Sequence, residues 1–343
     1  MEVAGRNFLA LAGTAAGLAV GVAAERSIVR RRRRDDPEGG EEFGSRRGVR
    51  PRTIELSDGA RIFIEEAGPE ARKAAVFIHG SGLRTDAWHY QMHGIDSHRL
   101  VFYDLRGHGL STPKGDSEYS IRTLSEDLGA VIEDADVDEI ALVGHSVGGM
   151  VALEYCVMNA SELGSRVKGI VLLNTTYGPA AETLAGGAAV SRLERITRRP
   201  FDYLGSHTAR IEHLRKVLKP SDALFWTVAL SAFGPGASAR QIDLTYDMLA
   251  ETPSDVIFDL VRSYRHFDVR GRLDEVTVPA LVIGGTHDRL TVGKASHYLA
   301  DNLPKAELKM LEGCGHMSML ERHREVNRLI DGWLDDVLGT EHG

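Results

Sequence analysis

The sequence predicts an α/β domain built on a mainly parallel β-sheet. Short apolar runs, typical of buried strands, alternate with segments of helical spacing along most of the chain. The composition agrees with a packed domain, because the 343 residues are 43% hydrophobic and 26% charged. Several of the apolar runs end at glycines or polar residues, as strands do where functional groups collect at the carboxyl edge of a parallel sheet.

The predicted elements follow one another in chain order. An antiparallel hairpin over Thr53–Leu56 and Arg61–Glu66 turns at Ser57-Asp58-Gly59. The other predicted strands are Ala74–Ile78, Leu100–Tyr103, Ile140–Val143, Gly169–Asn174, Val278–Gly285 and Glu307–Leu311. Helical spacing covers Arg122–Ala135, Met150–Asn159 and Ser318–Leu338.

A nucleophile motif lies near the centre of the chain. The pentapeptide Gly144-His145-Ser146-Val147-Gly148 follows one apolar run directly and precedes a helical run. A Gly-x-Ser-x-Gly sequence between a strand and a helix is typical of the turn that exposes a reactive serine at a sheet edge. The pattern predicts Ser146 as a nucleophile, with the first N–H groups of the helix close to any developing oxyanion.

Two further candidates follow predicted strands near the C-terminus. Asp288 comes after Val278–Gly285, and His316 comes after Glu307–Leu311. Taken alone, Asp288 is typical of a turn-capping aspartate and His316 of a surface histidine. The order serine, acid, histidine at one sheet edge instead predicts that Asp288 orients His316 and that His316 takes the proton of Ser146.

These residues resemble the α/β-hydrolase family over about Arg52–Leu338. The resemblance also rests on Phe77-Ile78-His79-Gly80-Ser81-Gly82 and Tyr103-Asp104-Leu105-Arg106-Gly107-His108-Gly109-Leu110-Ser111. It implies an α/β-hydrolase fold of about eight strands, with Ser146, Asp288 and His316 as a catalytic triad. It further implies the backbone N–H groups of Ser81 and Val147 as the oxyanion hole. The serine at the elbow departs from the family's epoxide hydrolases and haloalkane dehalogenases, which need a carboxylate there.

A helical cap is predicted between two halves of the core. Residues 177–272 lack strand alternation, whereas residues 51–176 and 273–343 carry the strands and the motifs. Helical segments within the cap are Ala180–Arg198, Ile211–Leu218, Asp222–Phe233 and Ala239–Glu251. A cap encloses the substrate and expels water, and its apolar side chains favour an apolar acyl or alcohol group.

The first 50 residues differ from the rest of the chain. The uncharged run Phe8–Ala24 precedes Arg26 and Arg30–Arg34, so the positive-inside rule predicts a membrane anchor over residues 1–34. The catalytic domain would then be cytoplasmic, with the arginines at anionic headgroups. A cleaved signal peptide leading to secretion, and an interfacial or disordered tail, are the alternatives.

Two more features of this region carry expectations. Gly13, Gly17 and Gly21 share one helical face, which would allow self-association through the anchor. Residues 35–50 are charged, rich in glycine and without periodicity, which predicts a flexible linker.

The sequence offers no feature of a cofactor, metal or nucleic-acid protein. Neither Gly-x-Gly-x-x-Gly nor Gly-x-x-x-x-Gly-Lys opens a helix after a strand, and His-Glu-x-x-His is absent, so neither a cofactor nor a metal is predicted. The net charge is −8 although the first 50 residues are basic. The remaining acidic excess repels nucleic acids.

These patterns predict a serine hydrolase that cleaves small apolar carboxylic esters through an acyl-enzyme, in the manner of a carboxylesterase or lipase. Acyltransferases, cofactor-free perhydrolases, carbon–carbon bond hydrolases and prolyl aminopeptidases use the same triad and stay open as alternatives. An alternative of another class is a non-enzymatic, membrane-tethered binding protein.

Overall fold

The computed structural model describes residues 26–44, 48–113, 119–179, 222–264 and 267–339. Within these residues an eight-stranded sheet runs in the order β1-β2-β4-β3-β5-β6-β7-β8. The strands are β1 Val49–Glu55, β2 Arg61–Ala67, β3 Lys73–Ile78, β4 Arg99–Tyr103, β5 Glu139–His145, β6 Val167–Leu173, β7 Ala280–Gly285 and β8 Ala306–Leu311. β2 is antiparallel to β1 and β4, and all other pairings are parallel. The predicted hairpin and the predicted mainly parallel sheet are confirmed.

Helices cover both faces of this sheet. They are α1 (residues 26–34), α2 His89–Gly94, α3 Ile121–Asp134, α4 Val147–Met158, α5 Asp222–Ala232, α6 Ala239–Glu251, α7 Ser254–Tyr264, α8 Gly293–Asn302, α9 Ser318–Glu321 and α10 His323–Leu338. The long C-terminal helix expected from the sequence is divided at Arg322, which has φ −123° and ψ 35°. The predicted cap segments Ala180–Arg198 and Ile211–Leu218 lie outside the described residues.

Alternation along the strands divides the core into two layers. Ala74, Val76 and Ile78 of β3 face the layer that contains α3, α4 and α8, whereas Ala75 and Phe77 face the opposite layer. That opposite layer holds α2, α10 and the described cap helices α5 and α6. Because strands of a parallel sheet are covered on both faces, their sequences are continuous apolar runs rather than alternating ones.

The register of the parallel strands brings their carboxyl ends to one edge. Ile78 of β3 lies beside Gly144 of β5, and His145 lies beside Leu173 of β6. At the other side of the sheet, Gly285 of β7 lies beside Leu311 of β8. The loops that follow these strands therefore meet at a single edge, where the candidate site residues are found.

The N-terminal segment packs on the cap. Val29 of α1 is fully buried in the layer that includes α5 and α6. Arg33 forms a bidentate pair with Asp243, with Nε–Oδ2 2.9 Å and Nη2–Oδ1 2.8 Å. Arg32 donates to the Ala237 carbonyl at 2.9 Å and lies over the Trp226 ring. Two of the six arginines expected at lipid headgroups, Arg32 and Arg33, thus contact the cap.

Residues 36–43, within the segment predicted as a linker, make further contacts. The Asp36 carboxylate accepts the Ser238 hydroxyl at 2.8 Å and the Arg240 N–H at 2.8 Å, so it adds to the N-cap of α6. Phe43 packs edge-on against His89 and Tyr90 of α2. The segment thereby joins the cap to the core.

No helix in the described ranges is both long enough and apolar enough to cross a bilayer. The predicted anchor Phe8–Ala24, with its glycine stripe, lies outside those ranges.

Glu66 at the end of β2 should make stability depend on pH. Its side chain is 1% exposed, and it accepts hydrogen bonds from Arg99 (2.9 Å), Arg52 (2.6 Å) and Arg50 (3.0 Å). Burial alone would raise the pKa of Glu66, but the hydrogen bonds and charges of these arginines lower it to about 2. Relative to an unfolded pKa of roughly 4.3, this corresponds to about 3 kcal/mol of stability.

Because the folded pKa of Glu66 is depressed, that stability is present above the unfolded value and is lost as the pH falls through about 2. Glu66→Gln should therefore lower the free energy of unfolding most at neutral pH and progressively less below about pH 4. Urea unfolding of both proteins at neutral pH and near pH 3 measures this. An equal difference at the two pH values would contradict the ionic role of Glu66.

Candidate active site

The turn after β5 holds Ser146 in a backbone conformation that few residues adopt, with φ 55° and ψ −118°. The flanking glycines make the turn possible. A Cβ at Gly148 would collide with the Ile78 carbonyl, and one at Gly144 would collide with the Gly148 backbone. The Thr175 hydroxyl donates to the Ser146 carbonyl at 2.6 Å and fixes the turn from β6. Ser146 therefore stands at the sheet edge directly before α4.

Asp288 and His316 are brought together by the loops after β7 and β8. His316 Nδ1 donates to Asp288 Oδ2 at 2.9 Å, and the two side chains are 6% and 1% exposed. The hydrogen bond defines which imidazole nitrogen carries the proton in the neutral ring, so Nε2 is left as the basic atom. The pair has the arrangement that orients a general base.

Asn174 and Thr291 complete the surroundings of the Asp288 carboxylate. Asn174 Nδ2 donates to Oδ2 at 2.9 Å, and the Thr291 hydroxyl donates to the same atom at 2.7 Å. The backbone N–H groups of Leu290 and Thr291 donate to Oδ1 at 2.8 and 2.9 Å. Burial opposes ionisation of Asp288, but the charge and hydrogen bond of His316, with the Asn174 and Thr291 donors, lower its pKa to about 2. Asp288 is thus an anion with both oxygens fixed.

Sequence reasoning missed Asn174 and Thr291. Asn174 follows β6 with φ 45°, a conformation that asparagine tolerates better than most residues. An asparagine at the carboxyl end of a buried strand was the available signal. Its partner Asp288 is 114 positions away, and no local pattern links the two.

Two buried histidines brace the loop that contains Ser81. His108 Nδ1 donates to the Arg106 carbonyl at 3.0 Å, and its Nε2 accepts the Gly82 N–H at 3.0 Å. Reciprocally, His79 Nδ1 donates to the Gly80 carbonyl at 2.8 Å and its Nε2 accepts the Leu105 N–H at 2.9 Å. Burial lowers the pKa of His108 to about 4 and that of His79 well below its usual value. Both rings are therefore neutral structural ties between the loops after β3 and β4.

Two backbone N–H groups near Ser146 have no hydrogen-bond partner in the described part of the chain. Ser146 N–H bonds to the Leu173 carbonyl at 3.0 Å, whereas the described residues provide no hydrogen-bond acceptor for the N–H of Ser81 or Val147. Val147 begins α4, where N–H groups lack intrahelical partners. The arrangement can stabilise a negatively charged oxygen beside Ser146.

His145 holds the backbone of His316. His145 Nε2 donates to the His316 carbonyl at 3.0 Å, and the two rings lie 4.8 Å apart. Burial, reinforced by the charge of His316, lowers the pKa of His145 to about 3, so it stays neutral. His145 thus ties the end of β5 to the backbone of His316.

Ser81, Ser146, Val147 and His316 line one cavity of about 220 Å³ under the cap, and Asp288 lies behind His316. The cavity wall is largely apolar and includes Leu83, Met150, Leu249, Ile257, Val261 and Met317. All five predicted site residues therefore belong to one region. The arrangement provides a nucleophile, an oriented imidazole and two donors beside an apolar chamber.

Comparison with known proteins agrees with this architecture. The non-heme chloroperoxidase CPO-A1 of Kitasatospora aureofaciens is 27% identical over 269 residues, which cover 76% of this chain and 90% of that protein. The 2-hydroxy-6-oxononadienedioate/2-hydroxy-6-oxononatrienedioate hydrolase of Cupriavidus pinatubonensis is 24% identical, covering 82% of this chain and 94% of its own. The structure of an esterase from Exiguobacterium antarcticum superposes with a TM-score of 0.66 at 20% identity, covering 82% and 98% of the two chains. That similarity concerns the fold.

A family model described as the alpha/beta hydrolase fold matches residues 74–323. The match begins in β3 and ends at the start of α10, so it includes the loops that carry Ser146, Asp288 and His316. With its strand order and the relatives above, the chain belongs to the alpha/beta hydrolase fold family.

Proposed function

We propose that this protein is a serine hydrolase that cleaves carboxylic esters through an acyl-enzyme intermediate. The observation that carries the proposal is the meeting of three features on one apolar cavity. These are an elbow serine, an imidazole oriented by a buried anion, and two backbone N–H groups without an acceptor among the described residues. Each of the three matches one requirement of acyl transfer.

In the proposed reaction His316 Nε2 takes the proton of the Ser146 hydroxyl as its oxygen attacks the ester carbonyl. The Ser81 and Val147 N–H groups donate to the tetrahedral oxyanion, and Asp288 stabilises the imidazolium. His316 then protonates the leaving alcohol. In the second half, His316 activates water, which attacks the acyl group on Ser146 and releases the acid.

The cavity lining favours an uncharged substrate. No lysine or arginine occurs among the described residues of the wall, and the polar side chains there include Thr176 and Thr245. A dicarboxylate, such as the substrate named for the Cupriavidus relative, needs a cationic partner when buried. An apolar ester does not, so we favour ester cleavage over carbon–carbon cleavage of a diacid.

A panel of p-nitrophenyl esters from acetate to palmitate, run beside amides, peracid formation and acyl transfer to alcohols, tests the proposal. We expect hydrolysis of short-chain esters with the highest kcat/KM, because the described cavity is small. Faster turnover of amides, peracids or acyl acceptors would instead identify a peptidase, perhydrolase or acyltransferase. Lack of turnover together with no reaction with a fluorophosphonate would support a non-enzymatic binding protein.

We also propose that residues 1–34 anchor the protein to a membrane with its catalytic domain in the cytoplasm. Full-length protein should sediment with membranes and resist carbonate extraction, and a chain beginning at Arg26 should be soluble and active. A chain beginning at Gly48 should melt roughly 5 °C lower than the one beginning at Arg26, because it lacks the Val29, Arg33 and Asp36 contacts.

Fractionation and thermal melting of the three chains decide these points. Full-length protein in the soluble fraction would refute the anchor. A mature N-terminus at Glu25 would indicate a cleaved signal peptide and secretion. Equal melting temperatures for the two shortened chains would show that the N-terminal segment does not stabilise the cap.

A further inference from the structure

The cap and the loop that carries His316 meet at a backbone junction. The histidine loop comprises residues 312–317. The α5 end, which lies within the cap, comprises residues 232–234. The N–H groups of His316 and Met317 both donate to the Ala232 carbonyl, at 2.8 and 3.2 Å. Carbonyls at the C-terminus of a helix lack intrahelical partners, so the histidine loop supplies the missing donors.

Glu321 of α9 ties the same two segments together by its side chain. Its Oε2 accepts the Gly234 N–H at 2.8 Å, and its Oε1 accepts the Gly315 N–H at 3.0 Å. One carboxylate thus bridges the α5 end and the residue directly before His316. Among the described residues no lysine or arginine pairs with this carboxylate, and its hydrogen bonds come from backbone N–H groups.

The glycines at the junction allow this close approach. A Cβ at Gly315 would lie 2.5 Å from the Gly234 nitrogen, and one at Gly234 would collide with the Gly313 carbonyl. The two chain segments therefore cross with no room for a side chain on either. This explains Gly315, which the proposed chemistry does not itself require, whereas Gly313 is favoured by its φ of 70°.

The junction completes a set of ties around the proposed base. The His316 carbonyl accepts from His145, and the Gly315 carbonyl accepts from Asn174 at 3.1 Å. The His316 N–H is held by Ala232, and the Gly315 N–H by Glu321. Two of these four ties run to residues at the carboxyl ends of β5 and β6. The other two involve the α5 end. The backbone of His316 is therefore held both from the core and from the cap.

We propose that Glu321 is a positioning residue that fastens the cap to the histidine loop. This carboxylate keeps the cavity wall at Ala232 and the imidazole of His316 at constant positions relative to Ser146 when substrate enters beneath the cap. The proposal rests on the proposed function, since Glu321 acts through His316. Because His316 acts in both half-reactions, loss of Glu321 lowers the rates of acylation and deacylation together, and it leaves the affinity for substrate unchanged because Glu321 is not among the residues that line the cavity.

The test compares Glu321→Ala and Glu321→Gln with the matched control Glu325→Ala, an exposed glutamate at the start of α10. Active sites are titrated with a fluorophosphonate, and ester hydrolysis is measured far below the melting temperature of each variant. Because only folded active sites react with the fluorophosphonate, dividing the rate by the titrated concentration gives kcat per folded enzyme.

We expect Glu321→Ala to lower kcat per titrated site by roughly 10- to 100-fold with KM within about twofold of wild type. Glu321→Gln keeps one acceptor oxygen and should lose less activity, while Glu325→Ala should match wild type. The second-order rate of fluorophosphonate labelling should fall in parallel with kcat.

Wild-type kcat per site in Glu321→Ala, even with a lower melting temperature, would overturn the proposal and leave a purely structural role. If the alanine variant does not fold, wild-type kcat per site in Glu321→Gln has the same meaning. A change in KM alone would also overturn it. If wild-type protein itself neither hydrolyses esters nor reacts with the fluorophosphonate, the proposed function fails and the role of Glu321 falls with it.

Discussion

Replacing Ser146 by alanine should reduce ester hydrolysis by about 10⁴-fold or more while leaving the fold intact. The alanine lacks the oxygen that forms the acyl-enzyme, and the Ser146 backbone is held by Leu173 and Thr175 independently of the side chain. Initial rates on the best ester of the panel, with circular dichroism and thermal melting, measure both parts of the expectation.

Ser231→Ala is the matched control for Ser146→Ala. Among the described residues the Ser231 hydroxyl bonds to carbonyls within α5, and Ser231 is not among those that line the cavity, so activity should match wild type. If a clean preparation of Ser146→Ala retained more than a few per cent of wild-type activity, another residue would be the nucleophile.

Asp288→Asn should lower kcat by roughly 10⁴-fold. The carboxylate accepts the Nδ1–H of His316 and stabilises the imidazolium, whereas an asparagine can present an amide NH₂ to that nitrogen and favour the wrong tautomer. The asparagine also cannot accept all the donors from Asn174, Leu290 and Thr291 with one oxygen. Rates and melting temperatures together separate loss of catalysis from loss of stability.

Asp268→Asn serves as the control for Asp288→Asn. Asp268 pairs with Arg270 on the surface, and Asp104 accepts the N–H groups of Thr85 and Leu110, so neither has a described contact with His316. Near wild-type activity in Asp288→Asn would mean that the acid lies elsewhere, and Asp104→Asn would then be the next variant to measure.

Local sequence patterns were sufficient for the sheet and for the residues proposed to react. Buried parallel strands are continuous apolar runs, and the tight turns after them need glycines, so both leave a signature within a few residues. The Gly-x-Ser-x-Gly spacing around Ser146 is of this kind, because a side chain at either glycine would collide with the backbone of Ile78 or Gly148.

Apart from Thr291, which lies three positions from Asp288, the residues that sequence reasoning missed act across long stretches of chain. Asn174 meets Asp288, and Glu321 meets Gly234 at a separation of 87 positions. Arg33 meets Asp243 at a separation of 210 positions, although the composition of its neighbourhood indicates a lipid-facing basic run. A run of basic residues indicates that its partners are anionic. It does not indicate whether the anion is a lipid headgroup or an aspartate that the fold places nearby.

Mapping the fluorophosphonate adduct by mass spectrometry identifies the nucleophile. We expect one covalent phosphonate per chain, on the peptide that contains Ser146, with the loss of ester hydrolysis proportional to the fraction labelled. An adduct on a different residue, or full ester hydrolysis by protein fully labelled at Ser146, would contradict it.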